Sequence, residues 1–245
     1  MLLKFMIPVI AQEADYLIIN KPAGILVHPP YSNYQEETVV SILKKQYPEI
    51  QKVGDDTVLR PGIAHRLDAA VSGVMVIART QVFFEWIKTQ FKKRTVRKEY
   101  TALVYGTLKK DEGVINLPLK KAPFHARTKV MPQGSSRAKD AITHFEVLKR
   151  FWHYTLIRVI IKTGRTHQIR AHLAHYGHSL VGDMQYCHPR YRKRSAFTKH
   201  IKFDRVFLHQ ERLGFYDRDN QYREYRAELP DDLQSFLGTL SFCTQ

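Results

Sequence analysis

Several features that would assign the chain to a specialised class of protein are absent from its sequence. Only two cysteines, Cys187 and Cys243, occur among 245 residues. They are too few for a disulfide-stabilised fold, and their separation fits no metal-binding motif. No apolar run is long enough to cross a bilayer, and the start of the sequence lacks the three-part pattern of a signal peptide. We therefore expect a cytoplasmic protein without membrane contact.

Internal repeats and low-complexity linkers are also absent. Hydrophobic residues make up 44% of the composition, which excludes wholesale disorder and supplies a core. The length suits one large domain or two small ones. Since no linker divides the chain, we expect a single domain over residues 1–245.

Acidic residues are scarce relative to basic ones. Lys and Arg total 39 against 23 Asp and Glu, a formal net charge of +16, which favours a polyanionic partner. Cations cluster in "FKKRTVRK" (91–98) and "HPRYRKR" (188–194), with Phe91, Tyr186 and Tyr191 interleaved or nearby. Because no basic amphipathic helix suits a membrane surface, nucleic acid is the favoured partner.

Short strands and helices alternate irregularly along the chain. Periodicity predicts strands over 13–20, 72–78, 98–106 and 205–215, a hairpin over 143–161, and helices over 36–47, 81–91, 165–177 and after Pro230. The segment 107–142 is predicted to hold an exposed basic loop, "KKAPFHARTKVMPQGSSRAK". Neither regular βαβ winding nor an all-β pattern fits, so we expect an α+β fold on a largely antiparallel sheet.

One carboxylate stands out in this basic chain, that of Asp68 in "HRLDAAVSG" (65–73). An Asp in a turn often hydrogen-bonds local amides. The neighbours His65 and Arg66, and the buried strand that follows, favour a functional group instead. A carboxylate within ~4–6 Å of a guanidinium stays ionised and can act as a nucleophile or a base.

Two arginines occupy the stretch "KTGRTHQIRAHL" (162–173). Arg165 falls at or just before a predicted helix N-terminus, where the helix dipole disfavours a cation, so we expect an anionic neighbour, either a phosphate or a carboxylate. Arg170 lies beside the buried face of the same helix and needs a partner, because an unpaired buried charge is costly. We expect that partner to be Asp68, with ordinary surface ion pairing as the alternative for both arginines.

Four histidines, His167, His172, His175 and His178, follow closely in sequence. A helix would bring His172 and His175 near each other, as in a metal site. No cysteine lies close, and the one nearby acid, Asp183, lies beyond the predicted helix end. We therefore expect no metal here and favour polar core or RNA-facing roles.

These segments together resemble the RluA family of RNA pseudouridine synthases. The stretches that carry the resemblance, in the family's order, are "NKPAGILVHP", "HRLDAAVSG", "KEYTAL", "TGRTHQIRAHL", "GHSLVGDMQY" and "FLHQERLGF". They cover residues 15 to about 215. The resemblance implies the pseudouridine synthase catalytic fold, a mixed, largely antiparallel central sheet flanked by helices and loops, with a basic cleft.

The resemblance also implies the chemistry: uridine in RNA is cut from its sugar, rotated and rejoined through C5. Asp68 would attack the ribose or remove a sugar proton, and Arg170 would pair with it. Tyr100, which on an alternating strand is either a core residue or a base-stacking one, would stack on the target base. No cofactor is implied, because the reaction has no redox step. The residues expected to contact RNA, from the motifs or the basic clusters, are Lys21, His65, Arg66, Lys92, Lys93, Arg165, Arg192, Arg194 and Leu208.

The sequence departs from the family pattern at two places, with Val71 for the usual Thr and Gln210 for the usual Ala. Neither departure removes a chemical group of the reaction. We see no N-terminal S4-type RNA-binding domain, and we expect a monomer without an obligatory protein partner. Ribosomal and transfer RNA both remain open as substrates. The rival functions are a basic RNA-binding module without catalysis and a metal-dependent RNA hydrolase.

Overall fold

The computed structural model describes residues 6–122, 127–192, 203 and 205–241, with only the backbone of Arg192. In chain order its elements are β1 (Val9–Gln12), β2 (Tyr16–Lys21), α1 (Val39–Gln46), a 3-10 helix (Pro48–Lys52), β3 (Ser72–Ala78), α2 (Gln81–Lys93), β4 (Arg97–Tyr105), β5 (Glu112–Asn116), β6 (Leu119–Lys121), β7 (Thr128–Val130), β8 (Ile142–Phe151), β9 (Tyr154–Ile161), α3 (Gln168–His175), α4 (Pro189–Arg192), β10 (Leu208–Tyr216), β11 (Tyr222–Arg226) and α5 (Asp231–Gly238).

The chain divides into two compact units, each of which is built from two separate stretches of the sequence. Unit 1 takes the chain up to Lys98 and again over Gln210–Ala227, and unit 2 takes Glu99–His209 and the chain from Glu228 onward. The strands β4 and β10 therefore each begin in one unit and end in the other. The expectation of one domain over 1–245 stays a prediction.

Unit 1 is built on strands in the order β1-β2-β3-β10-β11. The β2–β3 pairing is antiparallel, with a register that runs from Tyr16 opposite Ala78 to Lys21 opposite Gly73. All seven residues of β3 are buried, as expected for an apolar central strand covered on both faces. The helix α2 begins at an N-cap, Thr80, whose hydroxyl accepts a hydrogen bond from the Phe83 N–H. Apolar residues of β2, β3, α2 and β10 share one core.

Unit 2 carries the strand order β4-β9-β8-β5, and the pairings β4–β9, β9–β8 and β8–β5 are antiparallel. The long hairpin β8–β9 shifts register between Val147 and Lys149. The strands β6 and β7 form a separate antiparallel pair. A core of mostly aromatic and aliphatic side chains from β4, β8 and α5 packs in this unit.

The α+β fold class is confirmed, and most of the predicted elements are present. The strand over 72–78 has the predicted bounds, and the hairpin and the four helices occur where expected. The prediction of an exposed basic loop, 120–139, was wrong in part, because this stretch contains the end of β6 and all of β7; its residues 123–126 lie outside the described residues. Within the described residues, no helix combines the length and the apolar character that a membrane crossing requires.

Candidate active site

The turn that carries Asp68 is fixed by its backbone. Asp68 is half-buried between the His65–Arg66 pair and β3. The Val71 N–H donates to the Asp68 carbonyl at 3.1 Å, and the Gly24 N–H donates to the Ala69 carbonyl at 2.8 Å. The second bond attaches the turn to the "KPAG" segment that follows β2. Two separate segments of unit 1 therefore set the position of the Asp68 backbone.

The buried side chain of Lys21 also holds the turn that carries Asp68. Its side chain is fully buried, and Nζ donates to the carbonyl oxygens of Pro22 at 2.9 Å, Ala69 at 3.2 Å and Val71 at 2.8 Å. A buried ammonium is tolerated when several acceptors surround it. Lys21 therefore holds the turn after Asp68, and its expected contact with RNA stays a prediction.

Close packing of β3 against β10 explains the glycine of the "HRLDAAVSG" motif. Gly73 has φ +130°, and a Cβ there would lie 2.3 Å from the Gln210 carbonyl oxygen. The Gln210 side chain is buried, and its Nε2 donates to the Val74 carbonyl at 3.0 Å. The departure from the family's alanine at position 210 therefore adds a side-chain bond between the two strands just after the turn.

Arg66 is exposed and lies against a histidine that the sequence analysis did not single out. Its Nη1 is 3.1 Å from His28 Nε2, so the guanidinium donates to a neutral imidazole. Burial lowers the pKa of His28, and the positive charge of Arg66 lowers it further. His28 is the penultimate residue of the motif "NKPAGILVHP" (20–29), but nothing in the spacing pointed to this pairing.

His65 is held inside unit 1. Its Nε2 accepts a hydrogen bond from the Val76 N–H at 3.2 Å, and its ring stacks on Phe91 with centroids 4.6 Å apart. Burial, with the charge of Lys98, lowers the pKa of His65 to about 3, so the ring is neutral. These contacts give His65 a structural role, and its contact with RNA stays a prediction.

In unit 2, Arg170 is nearly buried and is bonded to a carboxylate. Nε donates to Asp183 Oδ2 at 2.7 Å and Nη2 donates to Asp183 Oδ1 at 2.9 Å. Nη2 also donates to Gln185 Oε1 at 3.0 Å, and the guanidinium lies 5.0 Å from the Tyr186 ring centroid. The sequence analysis considered Asp183 only as a remote acid, whereas it fixes the plane of the Arg170 guanidinium. The pairing of Arg170 with Asp68 stays a prediction.

Tyr100 and Leu208 are buried residues of unit 2. Tyr100 lies in β4 opposite Val159 of β9, and Leu208 is the first residue of β10. Arg165 is half-exposed three residues before α3, and its Nε donates to the Asp140 carbonyl at 3.2 Å. The anionic neighbour expected for Arg165 stays a prediction, as do the base-contacting roles of Tyr100 and Leu208.

The predicted basic clusters lie only partly within the residues that the structure describes. Lys92 and Lys93 are exposed on the last turn of α2, where cations also interact favourably with the helix dipole. The side chain of Arg192 and all of Arg194 lie outside the described residues. The surface charge of the first cluster is therefore available to a polyanion, and RNA contact by all four residues stays a prediction.

The aromatic residues interleaved with these cations point inward. Phe91 stacks on His65, Tyr191 is buried and stacks on Tyr105 with centroids 5.1 Å apart, and the Tyr186 hydroxyl is bonded to His167 Nδ1 at 2.9 Å. Sequence proximity to cations therefore does not make these rings exposed stacking surfaces.

His172 and His178 of the histidine cluster are each hydrogen-bonded to other groups of the protein. His172 is fully buried, with Nδ1 bonded to the Thr143 hydroxyl and Nε2 to the Leu117 carbonyl, each at 2.9 Å. His178 Nδ1 bonds the Tyr105 carbonyl at 2.9 Å. With both ring nitrogens engaged, His172 has no lone pair to offer a metal, and no cluster of potential metal ligands occurs in the part of the chain that the structure describes.

Comparison with known proteins places this arrangement in a family. Residues 15–175 match the RNA pseudouridylate synthase family model. The chain belongs to the RNA pseudouridylate synthase family. The predictions of an RluA-type family member and of an RNA pseudouridine synthase are thereby confirmed.

Individual relatives agree with this assignment. An uncharacterized RNA pseudouridine synthase of Bacillus subtilis is 35% identical over 94% of this chain and 71% of its own length. The ribosomal large subunit pseudouridine synthase D of Blochmanniella floridana is 38% identical over 95% of this chain and 72% of its own. Across eight relatives the synthase spans from 54% to 73% of their lengths.

The fold agrees as well. The structure of human RNA pseudouridylate synthase domain containing 1 superposes with a TM-score of 0.74, at 23% identity, over 96% of this chain and 88% of that chain. Unit 1 of the synthase contains Lys21, His65, Arg66 and Asp68, and unit 2 contains Tyr100, Arg165, Arg170 and Leu208.

Proposed function

We propose that this synthase converts uridine to pseudouridine in RNA, with Asp68, Tyr100 and Arg170 as its catalytic residues. In this isomerisation the bond between C1′ and N1 breaks, the uracil rotates, and a bond forms between C1′ and C5. The C5 proton is lost and N1 gains a proton, so the mass of the RNA is unchanged. Asp68 acts either as the nucleophile at the ribose or as the base that removes a sugar proton.

The anchored turn of Asp68 is the observation that carries this proposal. Lys21 Nζ bonds two carbonyl oxygens of residues 69–71, and Gly24 bonds one of them. A catalytic carboxylate needs a fixed backbone, because small errors in position cost much of the rate. An ordinary turn aspartate on the surface has no need of a fully buried lysine beneath it.

The substrate class follows from charge and from the relatives. With 39 basic against 23 acidic residues, the protein attracts the RNA backbone, and this attraction offsets the few kcal/mol that flipping a nucleotide costs. Three relatives carry the name ribosomal large subunit pseudouridine synthase D. We therefore favour ribosomal RNA over transfer RNA, and a cytoplasmic monomer that needs no metal or cofactor.

The experiment compares the wild type with Asp68→Asn on uridine-containing ribosomal RNA fragments. We expect pseudouridine formation to fall at least about 10³-fold while RNA affinity stays within about tenfold, because only the reacting carboxylate is altered. Mapping by carbodiimide modification and the intact mass of the RNA are the measurements.

Each rival function predicts a different result. A binding module would make no pseudouridine in the wild type. A metal-dependent hydrolase would yield cleaved RNA and would be inhibited by EDTA, whereas we expect intact RNA and no inhibition. Equal turnover by wild type and Asp68→Asn would refute the role of Asp68.

A further inference from the structure

Lys98 is a buried cation that the catalytic proposal does not use. It is the second residue of β4 and is 6% exposed. Within the described residues its Nζ has neither a hydrogen-bond nor an ion-pair partner. Nζ lies 5.8 Å from the Phe91 ring centroid, and burial together with the charge of Arg94 lowers the pKa of Lys98 to about 8. An ammonium buried beside another cation is costly, and a bound anion would relieve that cost.

His65 supplies a second unused donor at the same place. Because its Nε2 accepts from the Val76 N–H and the ring is neutral, the proton of the imidazole is on Nδ1. That Nδ1–H has no hydrogen-bond partner in the described part of the chain. The charge of Lys98 acts on His65, and both side chains contact Phe91.

Further cations lie close to Lys98 in the sequence, and the charge of Arg94 acts on Lys98. Lys92, Lys93, Arg94 and Arg97 are all exposed. Arg94 ends α2 with a left-handed backbone, φ 62°, which turns the chain sharply between α2 and β4. The exposed Arg94 therefore acts on the nearly buried side chain of Lys98, an arrangement that suits a specific anion contact within a polyanion-binding surface.

We propose that Lys98, His65 and Arg94 bind one phosphate group of the RNA backbone. Lys98 Nζ and His65 Nδ1–H donate hydrogen bonds to its oxygens, and Arg94 neutralises it from the solvent side. The site rests on the proposed function, since the phosphate belongs to the RNA substrate.

The position of the site in the chain suits such a role. His65 lies three residues before Asp68 in unit 1, and Lys98 lies two residues before Tyr100 in the sequence. A phosphate held here would belong to a nucleotide close to the target uridine. The site would fix the register of the RNA, since backbone contacts position the substrate without reading its sequence.

The test measures RNA affinity against salt for Lys98→Met, Lys98→Arg and the matched control Lys88→Met. Lys88 is an exposed lysine on α2 paired with Asp55 and Glu85, so its replacement removes the same charge. For Lys98→Met we expect about tenfold weaker binding and a salt slope smaller by about 0.7. Lys98→Arg should retain most of the affinity, and Lys88→Met should match the wild type.

Stability separates this role from a structural one. Because Lys98→Met removes a buried charge without a partner, its melting temperature should equal or exceed that of the wild type. If Lys98→Met instead fails to fold, Arg94→Asn supplies the same test, since Arg94 is exposed and asparagine tolerates the left-handed backbone. A wild-type affinity and salt slope in the folded variant would overturn the site.

Methylphosphonate substitution identifies the source of the phosphate. Each linkage around the target uridine is replaced in turn by an uncharged one. At the linkage whose phosphate contacts Lys98, the substitution should weaken binding by the wild type but not by Lys98→Met, so that the two proteins bind equally. Stabilisation of the wild type by inorganic phosphate, with no linkage that equalises the two proteins, would mean a free anion and would overturn the RNA contact. Absence of pseudouridine in the wild type would refute the proposed function instead, while the binding measurements would still test the site.

Discussion

At the residue scale, the structure separates charges that face solvent from charges that support the backbone. Lys21 and Lys98 both lie in motifs that resemble the family, and both are nearly or fully buried. Lys21 is surrounded by three carbonyl oxygens, whereas Lys98 Nζ has no such acceptor among the residues that the structure describes. The two residues therefore differ in function, although the sequence presents each as one more cation in a basic chain.

The titration of Lys98 gives a testable pH dependence. Its pKa is about 8 in the folded protein and that of an ordinary lysine, about 10.4, in the unfolded chain. Between these values the unfolded state binds more protons, so this group makes stability rise with pH from about 8 to 10.4. We expect urea unfolding to show this rise in the wild type relative to Lys98→Met. A constant difference between the two proteins across that range would contradict the buried, unpaired ammonium.

The sequence did not predict which residues are the hydrogen-bond partners of the site residues. The motif "HRLDAAVSG" correctly focused attention on Asp68, Arg66 and His65. The contact of Arg66 with His28 and that of Arg170 with Asp183 join residues 38 and 13 positions apart. Spacing along a chain predicts neighbours on one helix or strand, but not which loop returns to them.

At the element scale, the carboxylate of Asp183 joins α3 to the loop that follows it. Asp183 is 2% exposed. Besides the two bonds from Arg170, its Oδ1 accepts from the N–H groups of Gln185 at 3.1 Å and Tyr186 at 3.0 Å. The carboxylate thus sets both the loop and the orientation of the proposed catalytic arginine.

Replacing Asp183 with Asn should therefore be costly. The change leaves a buried guanidinium without its anion, and we expect a loss of about 3 kcal/mol in the free energy of unfolding, measured in urea, together with slower pseudouridine formation. Asp232→Asn, which removes a half-exposed partner of Arg205, is the control and should cost below about 1 kcal/mol. Equal losses in the two variants would show that the buried pair does not organise the loop.

The elements that sequence predicted well share one property, a clear apolar pattern. The strand "SGVMVIA" and the helix beginning "QVFFEWI" were found because their apolar residues follow the expected periods. The strand β11, "YREYR", was missed because charged residues fill three of its five positions, and β5 contains a glycine. Those strands are stabilised by their neighbours in the sheet, which a local pattern does not contain.

At the scale of the whole molecule, the net charge of +16 governs RNA affinity. We expect the affinity to fall log-linearly with salt, with a slope near −0.7 for each contacted phosphate of single-stranded RNA. Changing Lys92, Lys93, Arg192 and Arg194 together to Glu should weaken binding and flatten the slope while leaving the circular dichroism spectrum unchanged; the melting temperature should fall only slightly, because two Glu replace cations in the last turn of α2.

A variant of equal charge serves as the control for that experiment. Four exposed lysines elsewhere, namely Lys45, Lys52, Lys109 and Lys110, are changed to Glu. If both variants lose affinity equally, total charge rather than the two clusters governs binding. If the first variant keeps the wild-type slope, the clusters do not face the RNA.

Because unit 1 is built from two distant stretches of the chain, the order of synthesis affects how it assembles. The strand β3, all of whose residues are apolar or small, neighbours β10 in the finished sheet, yet about 130 residues separate Ala78 from Gln210. At roughly 5–20 residues per second, a ribosome needs on the order of ten seconds to deliver the second strand after the first. During that interval one edge of the apolar strand β3 lacks its β10 neighbour on the nascent chain. Premature termination before residue 210 would therefore leave a product prone to aggregation rather than a smaller working enzyme.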